Sequence, residues 1–79
     1  MLPRKIIVFT QPDSLPCEAV KMFLKSRKAK FEERCVTYDD DARKELAQRY
    51  NSRSTPTVVI DNEVVVGFDP ERLDQLLEP

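Results

Sequence analysis

A chain of 79 residues, 41% hydrophobic and 34% charged, implies one small globular domain spanning 1–79. Its net charge of −1, from 13 basic and 14 acidic residues, argues against a general electrostatic grip on nucleic acid. Histidine is absent, which removes Ser-His hydrolysis and Cys-His proteolysis, and two cysteines fall short of the about four ligands of a closed zinc site.

Cys17 and Cys35 do not make a secreted disulfide framework, so the expected setting is cytoplasmic. The N-terminal MLPRKIIVF has too short an apolar run for a signal peptide, and no stretch approaches the roughly 20 apolar residues of a membrane span. No internal repeat, linker or low-complexity segment interrupts the chain.

Residues 5–9, KIIVF, predict a buried strand. From 16 to 28, Ala19, Val20, Phe23 and Leu24 share one helical face with Met22 beside it, and Lys21, Lys25 and Lys28 take the other. Pro16 fits only the first turn of that helix. The basic cluster Lys25, Arg27, Lys28 and Lys30 then complements the helix C-terminus. Residues 31–37, FEERCVT, predict a second strand, with Cys35 as a small hydrophobe inside it. Asp39, Asp40 and Asp41 suit a helix start, Ala42, Leu46 and Tyr50 recur every four residues, and Asn51 suits the helix end. Residues 57–60 and 63–66 predict a hairpin turning at Asp61-Asn62. Asp69-Pro70-Glu71 then opens a last helix, with cap, first-position proline and first-turn acid in order, and Leu73, Leu76 and Leu77 as its apolar stripe.

The order β-α-β-α-β-β-α implies an α/β domain, a four-stranded mixed sheet with helices on both faces. In such sheets sites lie beyond the carboxyl ends of parallel strands. The loop after the first strand reads Thr10-Gln11-Pro12-Asp13-Ser14-Leu15-Pro16-Cys17. Ser14 stands where an N-cap belongs, and a serine there is ordinarily just a cap.

Three segments in this order, TQPDSLPC, RSTPTVV and VVGFDPERL, resemble the short glutaredoxin-like redoxins of the thioredoxin fold, among them the small redoxins that serve ribonucleotide reductase. The resemblance covers nearly the whole chain. It implies thiol–disulfide exchange with disulfide-containing proteins. An attacking cysteine would stand at position 14 and a resolving cysteine at Cys17. It implies no tightly bound cofactor and no metal, with glutathione or a reductase as the electron donor. It further implies a cis Thr55-Pro56 bond whose backbone takes an extended substrate, with Gln11, Pro12, Leu15, Pro16, Arg53, Ser54, Gly67, Phe68 and Asp69 bordering the groove. The chain departs from the pattern at its centre. Ser14 replaces the attacking cysteine, and a Cys→Ser change is the usual way to trap or silence such a site. A lysine common at position 11 in glutathione-dependent relatives is Gln11, and their Gly-Gly before the last helix is Val66-Gly67. Both departures favour protein disulfides over glutathione. The alternative is a catalytically silent module that binds a peptide or partner through Thr55-Pro56 and Phe68.

Overall fold

The computed structural model describes residues 5–78; residues 1–4 and 79 of the expected single domain lie outside the described residues. Seven elements follow in the expected order: β1 (Ile6–Thr10), α1 (Leu15–Ser26), β2 (Glu32–Cys35), α2 (Asp40–Gln48), β3 (Thr57–Ile60), β4 (Glu63–Val66) and α3 (Pro70–Leu77). The sheet order is β2-β1-β3-β4, with β1 and β2 parallel and β3 antiparallel to both β1 and β4. This is the thioredoxin-like, four-stranded mixed sheet that the sequence implies.

Period-two alternation divides the central strands between two cores. Ile6, Val8, Val58, Ile60 and Val65 face Val20 and Leu24 of α1 and Leu73 of α3. Ile7, Phe9 and Val59 face Ala42 and Leu46 of α2, on the other side. Because β1 and β3 are covered on both faces, they read as unbroken apolar runs. Burial of a side chain such as Leu24 or Leu73 stabilises the fold by about 1.5–3 kcal/mol.

The element edges differ from the sequence expectation in instructive ways. β1 extends to Thr10, because the buried threonine satisfies its hydroxyl by donating to Glu33 Oε2 at 2.9 Å. β2 is shorter than 31–37; as an edge strand it carries exposed Glu32 and Glu33, and Tyr38 beyond it is 81% exposed. In α1 the buried stripe is Cys17, Val20 and Leu24, whereas Ala19 and Phe23 are half-buried and Met22 is exposed. The face extends one turn further than expected, to the cysteine. α2 ends at Gln48, and Tyr50 lies beyond it with its ring 5.7 Å from that of Phe9.

The helix ends are closed by local chemistry. Asp39 and Asp69 cap α2 and α3 by accepting from the amides of Ala42 and Arg72 at 3.0 and 3.1 Å. At the end of α1 the Ala29 amide donates to Leu24 O and the Lys28 amide to Lys25 O, at 3.0 and 2.9 Å. This is the paired bonding of a Schellman stop. Its left-handed position, normally a glycine, is Lys28 at φ 57°. The basic run there is exposed, as expected, though Arg27 is engaged: it pairs with Asp74 at 2.8 Å and lies 4.3 Å above the Phe23 ring.

A left-handed lysine costs about 1–2 kcal/mol locally, offset in a glycine variant by the unfolded-state entropy that glycine adds. Lys28→Gly is therefore expected to raise the denaturant midpoint modestly, by about 0.5 kcal/mol in stability. An unchanged or lowered midpoint in urea unfolding would contradict this reading of the turn.

Candidate active site

The register sets the site. Phe9 pairs with Thr57 in antiparallel fashion, so the end of β1 and the start of β3 lie side by side. The loop 11–14 leaves from one and the segment 52–56 arrives at the other.

Ser14 begins α1. Its backbone is extended at φ −115°, its side chain is largely buried, and its Oγ accepts from the Cys17 amide at 3.3 Å. The Glu18 amide donates to Ser14 O at 3.1 Å and starts the helical ladder. Asp13, just before it, takes a left-handed φ of 56°, which a short polar side chain tolerates. That kink turns the chain from strand to helix within four residues, with Pro16 in the first turn where no amide donor is needed. The hydroxyl present here is therefore a helix cap. An anion on the same atom would meet an orphan amide and the positive end of the helix dipole.

Cys17 is fully buried and Cys35 half-buried, and both are free thiols. Cys35 is the last residue of β2, beside Thr10 in the parallel register. Leu15, by contrast, is 84% exposed at the first position of α1, and Gln11, Pro12 and Pro16 are exposed with it.

The Thr55-Pro56 peptide bond is cis. Pro56 is buried, Thr55 half-buried, and Arg53 and Ser54 are exposed. Pro56 O accepts from the Gly67 amide at 2.7 Å, which ties the end of β4 to this turn. Gly67 holds φ 82°; a side chain there would find open space but a strained backbone. Phe68 is 42% exposed and packs edge-on to Phe23 at 5.9 Å, so one rim of the site is an aromatic pair reaching back to α1. Asp69 caps α3, so its carboxylate is held at the same rim. The structure thus brings Ser14, Cys17, Thr55, Pro56, Gly67 and Asp69 to one end of the sheet.

Two supports were not anticipated from the sequence. Thr57 is fully buried; its Oγ1 donates to Ser54 O at 2.6 Å and shares a hydrogen bond with Ser52 Oγ at 2.8 Å. Ser52 Oγ also accepts from the Ser54 amide at 3.4 Å. The two hydroxyls brace the segment that ends in the cis proline. A lone threonine opening a run of Val and Ile was the only sequence sign. The second support joins three elements. Glu33 on β2 accepts from Thr10 and from Lys21 Nζ of α1 at 3.1 Å, and Lys21 also pairs with Glu18 at 2.9 Å. Burial pushes the Glu33 carboxyl up, but the hydrogen bonds from Thr10 and Lys21 outweigh it and hold the group below its ordinary value. The hydrogen bonds to Glu18 and Glu33 hold the Lys21 ammonium above its own.

Comparison with known proteins places this architecture. The glutaredoxin family model matches residues 6–65. The chain belongs to the glutaredoxin family. It is 29% identical over 73 residues to a glutaredoxin-like 8.6 kDa protein of the rubredoxin operon of Clostridium pasteurianum, covering 92% of this chain and 97% of that one. It is 32% identical over 74 residues to the gene 56 protein of Mycobacterium phage L5, covering 92% of this chain and 72% of the phage protein. Among solved structures, the thioredoxin-like protein BC3987 superposes with a TM-score of 0.90 at 56% identity, covering 92% of this chain and all of the other. The glutaredoxin-like NrdH-redoxin of Escherichia coli superposes with a TM-score of 0.83 at 27% identity, covering 95% and 96%. Among the described residues this glutaredoxin has no group of acids and thiols arranged to hold a metal ion, and no helix long and apolar enough to cross a membrane.

Two outcomes follow from the supports. Thr57→Val keeps the shape but strips the Ser54 carbonyl and Ser52 hydroxyl of their partner; a loss of about 1–3 kcal/mol in denaturant unfolding is expected, with Thr57→Ser retaining most of the stability. Glu33 has a depressed folded pKa, so its contribution is present above its unfolded value and fades as pH falls through the folded one. Glu33→Gln should therefore flatten the stability–pH curve on the acid side of about pH 4.5, the ordinary range of a glutamate. A variant curve parallel to that of the unsubstituted chain there would exclude this role.

Proposed function

We propose that this chain is a glutaredoxin-like thiol–disulfide redoxin in which Ser14 occupies the attacking position, so that it holds a disulfide partner without dithiol turnover. The observation carrying this is the cap geometry of Ser14. Its Oγ receives the Cys17 amide at the N-terminus of α1, on the strand end that faces the Thr55-Pro56 turn. A sulfur there would be a stabilised thiolate, whereas a hydroxyl has no base to remove its proton, since the chain lacks histidine.

With a thiol at that position the chemistry closes. The thiolate attacks one sulfur of the substrate disulfide and forms a mixed disulfide, and one substrate thiolate leaves. Cys17, three residues on, then attacks the mixed disulfide, forms the internal disulfide and releases the second substrate thiolate. Two electrons pass to the substrate, and an external dithiol or reductase restores the pair. Ser14 cannot begin this sequence, and buried Cys17 is poorly placed to begin it alone.

Protein disulfides are the favoured substrate, with a reductase as electron donor ahead of glutathione. Gln11 and the Val66-Gly67 pair support this, as does likeness to a redoxin described as having a thioredoxin-like activity profile. The full burial of Cys17 supports the second reading too, a silent module that binds a partner at the exposed Leu15 and Phe68.

Ser14→Cys is expected to confer reduction of a small protein disulfide with dithiothreitol as reductant, well above the dithiol alone, while the unsubstituted chain stays at background. Alkylation of Cys17 in a Cys35→Ser background should be slower than that of free cysteine. A folded Ser14→Cys protein with no turnover would leave the binding module as the correct reading.

A further inference from the structure

The topology concentrates charge at the active-site end. β1, β2 and β4 run in one direction, and each is followed by a helix. All three helices therefore begin at the end of the sheet where Ser14 and Pro56 lie. Helix N-termini attract acids. Residues 11–18, 36–43, 51–56 and 67–72 form this end, and they carry seven carboxylates against three guanidinium groups. The whole chain has 14 acids and 13 bases, so the excess of negative charge here is balanced by positive charge elsewhere.

Ion pairing does not cancel this excess. Glu18 and Asp40 are paired with Lys21 and Arg43, and Asp39 lies 3.7 Å from Arg34. Among the described residues, Asp13, Asp41, Asp69 and Glu71 form no ion pair, and all four are exposed. Asp13 lies two residues before the exposed Leu15, and Asp69 and Glu71 follow the exposed Phe68, while Asp41 lies in the first turn of α2 at the same end of the sheet. Arg53, exposed and in no ion pair among the described residues, is a free cation at the same end, so the four free carboxylates leave a net negative sign beside exposed apolar groups, the pattern of a docking face that reads charge.

We propose that this end of the molecule selects a cationic partner, a protein segment whose disulfide is flanked by lysine or arginine, and disfavours anionic disulfides. The proposal rests on the reading of this end as the disulfide-binding face and adds the class of partner. Leu15 and Phe68 supply apolar contact, and the unpaired carboxylates steer the encounter. The effect is greatest at low ionic strength, where the Debye length is about 30 Å at 0.01 M, and fades at 1 M, where it is about 3 Å.

The test uses two disulfide-bridged peptides of equal length, one with lysines and one with glutamates around the bridge. On the unsubstituted chain at about 0.01 M salt, the lysine peptide is expected to shift the amide resonances of Asp13, Leu15 and Phe68, and 1 M salt to abolish the shifts. The glutamate peptide should leave them in place. Equal responses to both peptides overturn the proposal, as does no response to the lysine peptide, or shifts confined to the opposite end around Lys30 and Asn62. On Ser14→Cys the lysine peptide should be reduced at least about tenfold faster than the glutamate peptide at low salt. Combining Asp13→Asn, Asp41→Asn and Glu71→Gln should remove most of that ratio. Reduction of neither peptide by Ser14→Cys would defeat the redox reading, while the resonance shifts would still decide the charge preference.

Discussion

The antiparallel pairing of β1 with β3 is the constraint on which the rest depends. Phe9 opposite Thr57 puts the carboxyl end of one strand beside the amino end of the other. Two segments about forty residues apart in the chain are thereby fused into one site. The loop that carries Ser14 and the turn that carries Pro56 have no other reason to meet. The same pairing buries Val8 and Val58 on one face and Ile7 and Val59 on the other. A register slip of one residue would exchange the two cores and dismantle the site together. Stability and the candidate site thus share a single determinant.

Around that pairing the site is held by groups that do no chemistry. Ser52 and Thr57 brace the turn from below, Gly67 closes it from the side through Pro56 O, and Glu33 links the end of β1 to α1 through Thr10 and Lys21. Each bond has net worth of only about 1 kcal/mol, but leaving a buried partner unmade costs more. A scaffold built this way survives loss of its reacting atom. Under the proposed reading, an oxygen in place of a sulfur at position 14 leaves the cap, the helix and the turn in place, so the scaffold is kept whether or not the position reacts.

Much of this was legible in the sequence because local signals agreed with the global fold. The hairpin bounds, the caps at Asp39 and Asp69 and the Ser14 cap follow from residues within three or four positions of each other. The Thr55-Pro56 isomer was expected from resemblance alone, since an X-Pro bond carries no local sign of its isomer. What escaped was long-range. Nothing near Thr10 announces that its hydroxyl meets Glu33, and nothing near Thr57 that it meets Ser52 in a dry interior. The apolar face of α1 holds as expected at Val20, Phe23 and Leu24, but it extends one turn further, to Cys17. Cys17 counts as polar chemistry when read for reactivity, yet it packs as a core residue beside Val20 and Leu24.

The chain contains one glycine and six prolines. Asp13, Lys28, Asn51 and Asp61 all take a left-handed backbone that glycine would adopt without strain. The folded state gives up some energy at these four bends. The unfolded chain, short of glycine and stiffened by proline, has fewer conformations to lose. For a domain near the lower size limit of a single core, part of its stability then resides in the disordered ensemble, where no contact in the folded molecule records it.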